Sequence, residues 1–269
     1  MPNNLSYKVK KSKNPMEVIR TMFNYFLAEN MKVKHSFFNK LIYIAPILVV
    51  LASFLAIEYI QVDMYNWWYL TMLPGTTALS CCLLSKVDES MNYRAVLSLN
   101  LNLKKVWISK VLVGIKSLVI SCLIIFVCSQ IVVLIFNESS IKQIPMIDRL
   151  FASMLLIITF MWQIPLIMFI GSKFGLFLTV PIMTIVNIVC SILSIEKYWF
   201  IIPFSYPARL MCPVLKVLPN GLLAVPESET FSQELLSTSV ILYGVIISII
   251  LFIVVIYLTS IWFEKKEAL

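Results

Sequence analysis

The sequence predicts an all-α membrane protein. It should have six transmembrane helices, an amphipathic helix before the first, a short cytoplasmic helix between the second and third, and a re-entrant segment on the outer side. Three observations predict this. Hydrophobic residues make up 60% of the 269 and charged residues 13%, against roughly 25% charged in a soluble domain. Six uncharged apolar runs, 41–57, 67–85, 117–137, 150–172, 174–195 and 235–263, each approach the ~17–25 residues that cross a hydrocarbon core as a helix. Lys and Arg are also sorted. With the N-terminus inside, 17 fall on the cytoplasmic side and 5 (Lys142, Arg149, Lys197, Arg209, Lys216) outside, which is the positive-inside pattern. Both termini are then cytoplasmic. The net charge of +8 reads as a topology signal, because no basic run is interleaved with aromatics as a nucleic-acid groove would be.

Residues 1–36 form the first unit. Positions 1–15 are polar and basic, an expected disordered tail. From 16 onward Met16, Ile19, Phe23, Phe26, Leu27 and Met31 recur at helical spacing, with Glu17, Arg20 and Asn24 on other faces. Such a helix suits the headgroup layer of the inner leaflet; packing on the bundle is the plainer alternative. The permease-like body, 37–263, follows, and 264–269 is a cytoplasmic C-terminus. The first apolar run comes after 40 mostly polar, basic residues and lacks a small-residue cleavage site, so no removable signal peptide is expected.

The second span opens with "YNWWYLTMLPG" (65–75). Its aromatics read as an interfacial belt or, alternatively, a ligand site, and Pro74-Gly75 as a kink. Between spans two and three lies 86–110, "KVDESMNYRAVLSLNLNLKKVWISK". Asp88 and Glu89 complement the start of a short helix. The alternating LSLNLNL reads as extended chain, and Lys104, Lys105, Trp107 and Lys110 launch the third span. "GSKFG" (171–175) reads as the tight turn between spans four and five. The outer segment 196–234 carries prolines at 203, 207, 213, 219 and 226 yet stays apolar. It should therefore form broken, re-entrant helices covered by protein.

Several chemistries lack their residues. There is one histidine, His35, in a basic stretch, and no G-x-x-x-x-G-K-[ST] phosphate loop. The six cysteines form no C-x-x-C pair, so neither a metal site nor a disulfide framework is expected. All fourteen acids lie outside the apolar runs, and Lys116 is the one base expected at membrane depth, snorkelling inward. Gln130, Gln163 and Asn187 are expected to bind helices together. The chain reads as a transmembrane body that needs an external motor or partner.

Three stretches carry a resemblance: "LAENMKVKHSFFNKLIYIAP" (27–46), "YNWWYLTMLPG" (65–75) and "NYRAVLSLNLNLKKVWISKVLVGIK" (92–116). They resemble permease subunits of type-2 ABC exporters, and more closely those of lantibiotic immunity and resistance transporters. The resemblance implies that the N-terminal helix is an elbow helix, with Glu29, Lys32 and Lys34 on it. It implies that the short cytoplasmic helix is a coupling helix, with Asp88, Glu89, Tyr93, Arg94 and Leu97 facing an ATPase. Where such permeases often carry a proline, Asn100 or Asn102 stands here. The implied partners are a cytoplasmic ABC ATPase dimer holding ATP and Mg, a second homologous permease, membrane lipid and a cationic antimicrobial peptide. Tyr65, Trp67, Trp68, Trp199 and Tyr206 mark an outer interface or substrate path. The expected location is the bacterial plasma membrane. An exporter of another drug or lipid shares every residue-level feature, and a peptide-sequestering receptor without an ATPase is a further alternative.

Overall fold

The computed structural model describes residues 15–88, 101–136, 141–228 and 230–265. Among them every regular element is helical, apart from one isolated antiparallel bridge between Val217 and Leu223. Four helical runs are long and apolar enough to cross a membrane: Phe37–Lys86, Leu103–Ile135, Leu176–Ile195 and Ser239–Lys265. Met146–Met161 and Gln163–Phe174, bent by 41°, make a fifth if taken together.

The first run is not one rod. Fifty residues of straight helix would measure about 75 Å, more than twice a hydrocarbon core of roughly 30 Å. It breaks at Ala56 (φ −131°, ψ 78°) within the 3-10 turn Phe54–Tyr59. The chain then folds back, so that α2 (Phe37–Ser53) packs on α3 (Ile60–Trp67) and α4 (Leu73–Lys86). Between α3 and α4 the helix widens into a π-turn, Trp68–Met72, immediately before Pro74. Proline has no N–H to give the preceding turn, and the wider turn takes up the mismatch without a break. This bulge lies just ahead of Pro74-Gly75, where a kink is expected.

Helix α5 (Leu103–Ile135) is the longest. The side chain of Asn102 caps it, accepting from Lys105 N–H at 3.1 Å, which satisfies one of the orphan donors of the first turn. The extended run expected over 97–103 therefore ends as a helix cap at Asn102; Leu97 to Asn100 lie outside the described residues. Helix α1 (Pro15–Val33) and α2 both lie on α5. The bent pair, α6 (Met146–Met161) and α7 (Gln163–Phe174), separates at Trp162, where Pro165 removes a helical donor. Gly171 of α7 lies so close to α4 that a Cβ there would fall 2.7 Å from Cys82 Sγ.

Gly175, at φ 77°, ends α7 and donates to Gly171 O, so "GSKFG" is the tight turn its composition predicts. Helix α8 (Leu176–Ile192) follows. Asn187 of α8 and Gln163 of α7 exchange side-chain amide bonds at 3.0 and 3.1 Å, the helix-binding role expected of both. The proline-rich segment forms short 3-10 turns and one ten-residue helix, α9 (Tyr206–Leu215), which is almost wholly buried against α6. Helix α10 (Ser239–Lys265) closes the bundle and leaves much of its apolar surface uncovered.

Candidate functional site

At one end of the bundle four charged side chains close a ring. Lys32 Nζ donates to Glu29 Oε1 at 2.6 Å and to Asp88 Oδ1 at 2.9 Å. Lys110 Nζ lies 2.7 Å from Asp88 Oδ2 and 3.0 Å from Glu29 Oε2. Each ammonium thus sits between two carboxylates, and each carboxylate between two ammoniums. The ring is electrically neutral and mostly withdrawn from water: Lys110 is 1% exposed, Glu29 3% and Asp88 8%. Neutrality with short contacts on every side is the condition under which buried charges are tolerated. Lys110 also points its third donor at Leu84 O, 3.5 Å away.

Local structure explains the convergence. Glu29 and Lys32 are three apart on α1, hence on one helix face. Asp88 leaves the last turn of α4, and Lys110 stands two turns into α5. The ring therefore joins three segments at the point where residues 89–100 depart from α4 and return to α5. Burial alone would raise the Asp88 carboxyl, but the adjacent Lys110 and Lys32 ammoniums outweigh it and hold the group below its ordinary range. Burial would likewise lower Lys32, and its bonds to Glu29 and Asp88 outweigh that and raise it.

Further ties surround the ring. Lys116 Nζ donates to Asn30 Oδ1 at 2.5 Å, and Asn102 N–H donates to Tyr25 Oη at 3.2 Å, so α1 meets α5 along two turns and at its cap. Trp107 stacks on Phe263 at 4.9 Å and donates to Thr259 Oγ1 at 2.9 Å, which brings the end of α10 to the same place. Lys104 and Glu264 add an exposed pair at 2.9 Å. On the outward side of α1, Ile19, Phe23, Leu27 and Met31 form an uncovered apolar stripe.

Of the residues expected to couple to an ATPase, Asp88 is in the ring, while Glu89, Tyr93, Arg94 and Leu97 lie outside the described residues. On α1, Glu29 and Lys32 join the ring, while Lys34, expected on the same helix, lies just past its end at Val33 and is exposed. Lys110, expected only to launch the third span, is the ring's most buried member. Its place in a basic run gives no sign that it is buried. Lys110, Arg149 and Arg209 are all under 5% exposed, whereas Lys116, the base expected at membrane depth, is half-buried.

The two arginines belong to the far end. Arg149 Nη1 donates to Ser129 O at 2.6 Å and Nη2 to Gln130 Oε1 at 3.2 Å. Gln61 joins them, donating to Ser129 O at 3.1 Å and accepting from Ile144 N–H at 2.9 Å. Arg209 forks onto Leu235 O and Glu234 O at 2.8 and 2.7 Å, with its guanidinium 5.4 Å from the Trp199 ring. Tyr65 and Trp68 are fully buried, and the Tyr65 hydroxyl donates to Arg149 O at 3.0 Å. Tyr206 is buried and donates to Phe200 O at 2.7 Å. Trp199 is half-buried, and Trp67 remains exposed. The aromatic residues expected along one outer path thus divide into packed rings and a smaller exposed set. No family model, no curated protein and no solved structure matches this chain.

Proposed function

We propose that this chain is the permease subunit of an ATP-driven exporter in a bacterial plasma membrane, with six spans formed by α2, α3–α4, α5, α6–α7, α8 and α10. Both termini and the charged ring face the cytoplasm. Residues 89–100 are the contact for a separate ABC ATPase dimer, which carries the ATP and Mg, and α1 is the elbow helix. A second homologous permease completes the pore, and the cargo is a lantibiotic-type cationic antimicrobial peptide expelled from the membrane to give immunity or resistance.

The observation that carries this reading is the ring. A push delivered to residues 89–100 arrives where Asp88, Lys110 and the Glu29–Lys32 pair are mutually locked. It therefore moves the second span, the third span and α1 together. The length of α5 supports the placement: 33 residues measure about 50 Å, so roughly 20 Å of it lies beyond a 30 Å hydrocarbon core. The ring sits on that projecting part, where charge is tolerated. The apolar stripe of α1 is then available to the inner leaflet.

The test is a mild-detergent pull-down of the tagged chain from its native membrane, with bound proteins identified by mass. An ATPase with a phosphate loop and a second permease are expected. A well-folded bait that recovers neither would overturn the exporter reading in favour of a stand-alone peptide receptor. Arg94→Glu is expected to abolish peptide resistance with insertion intact; undiminished protection would remove residues 89–100 from the mechanism.

A further inference from the structure

We infer that the far-end cavity beside α3 binds an organic ammonium group, with Asp63 as counter-ion and Tyr59 and Trp67 as aromatic walls. Its placement on the outer face rests on the topology proposed above. Tyr59, Asp63 and Trp67 are spaced by four, so they share one face of the helix that begins the second span. They line an open cavity of about 480 Å³ whose opposite wall is the loop around Asn220 and Gly221.

Three features select a cation. Asp63 is half-buried and, among the described residues, has neither an ion pair nor a hydrogen bond. Lys142 faces Glu58 at 3.9 Å and lines the neighbouring cavity with Lys216. A carboxylate partly withdrawn from water and left without a partner favours a cationic ligand. Tyr59 and Trp67, 37% and 44% exposed, are aromatic members of the lining, a ring type to which such a cation is drawn. Asn66, 4% exposed, has its amide nitrogen engaged by Tyr69 Oη at 2.9 Å. Its Oδ1 is turned toward Gly221, 3.4 Å from where a Cβ there would stand. A primary ammonium has three donors to share between that oxygen and Asp63.

The opposite wall is preformed. Lys216 turns the chain in the left-handed region at φ 55°, Val217 bridges Leu223, and Leu218 N–H donates to Leu222 O at 2.8 Å. Gly221, at φ 86°, is a conformation that favours glycine. Asn220 ties the tip down, donating to Thr230 Oγ1 at 3.1 Å and accepting from Leu222 N–H. A fixed wall lowers the ordering cost of binding.

An ammonium of this kind occurs on lysine side chains of a cationic peptide and on ethanolamine headgroups of lipid. The purified full-length chain in a neutral maltoside detergent separates them. One arm titrates a fluorescein-labelled, lysine-rich amphipathic peptide by anisotropy, beside the same peptide with its lysines acetylated. The other measures retention of phosphatidylethanolamine against phosphatidylglycerol by native mass spectrometry.

Binding of the unacetylated peptide, or selective retention of the ethanolamine lipid, is expected. Asp63→Asn should weaken it about fivefold, Trp67→Leu about two- to fivefold, and Asp63→Glu should largely restore it. Whichever arm depends on Asp63 names the source. If Asp63→Asn keeps wild-type binding of both probes, or if neither probe binds the folded wild type, the site is refuted. Recovery of the ATPase in the pull-down does not depend on Asp63, so the two readings fail separately.

Discussion

The two ends of the bundle hold buried cations by opposite means. At the α1 end, Lys110 and Lys32 are balanced by Glu29 and Asp88 in a closed, neutral ring. At the far end Arg149 and Arg209 fork onto backbone carbonyls and an amide, with no carboxylate in the fork. The difference lies in what a missing partner leaves behind. Deleting one charge from the ring strands another in a poorly solvated place. Deleting an arginine leaves carbonyl oxygens, and Ser129 O still accepts from Gln61. The first arrangement is intolerant and fixes three segments to one another; the second tolerates loss and only adds adhesion between neighbours.

The largest test of this contrast is Lys110→Met. It leaves two carboxylates facing one ammonium and should cost about 3–5 kcal/mol, read as a drop in the thermal unfolding midpoint of the detergent-purified chain. Adding Asp88→Leu restores neutrality and should recover most of the loss; a double variant no more stable than the single one would show that charge balance is not the cause. Arg149→Met should cost less, about 1–3 kcal/mol for its lost charged hydrogen bonds. If it costs more than Lys110→Met, the comparison is inverted. Lys104→Ala removes an ion pair whose partners are 43% and 48% exposed, and should cost about 0.2–1 kcal/mol.

The smallest effect concerns pH. The folded value of Asp88 lies below its unfolded one, so its contribution is present above the unfolded value and lost as pH falls through the folded value. Lys32 is raised, so its contribution is complete below its unfolded value and lost as pH rises through the folded one. Between about pH 5 and 9 both are retained. The stability difference between wild type and Asp88→Asn should be flat across that window, and a slope within it would mean that another group controls the ring.

Much of the architecture was legible because it is local. The apolar runs predict the long helices, the glycines of "GSKFG" the turn, and five prolines the fragmentation of 196–234 into short turns and α9. Asn is a residue type that caps helices, yet the alternation of LSLNLNL favours extended chain over a helix start at Asn102. What could not be read is non-local. Lys110 is buried because Glu29, 81 positions earlier, reaches it through the packing of α1 on α5. Arg149 and Arg209 are buried against carbonyls, which every residue carries and which therefore leave no mark in the pattern. The aromatics at 65–68 look alike in sequence. Helix rotation through α3 and the π-turn buries Tyr65 and Trp68 and leaves Trp67 outside.

The ring also imposes an order on synthesis. Glu29 and Lys32 emerge first and can pair within one helix, a neutral start. Asp88 then arrives and brings an acid with no base of its own. The nascent chain carries that surplus until ribosome transit delivers Lys110 and closes the account of charge. The first two turns of α5, which carry Lys110, are thus the stretch whose synthesis supplies the last member of the ring. A chain deprived of its N-terminal helix would lose Glu29 and Lys32, an acid and a base together, and would keep Asp88 and Lys110 as a smaller neutral pair.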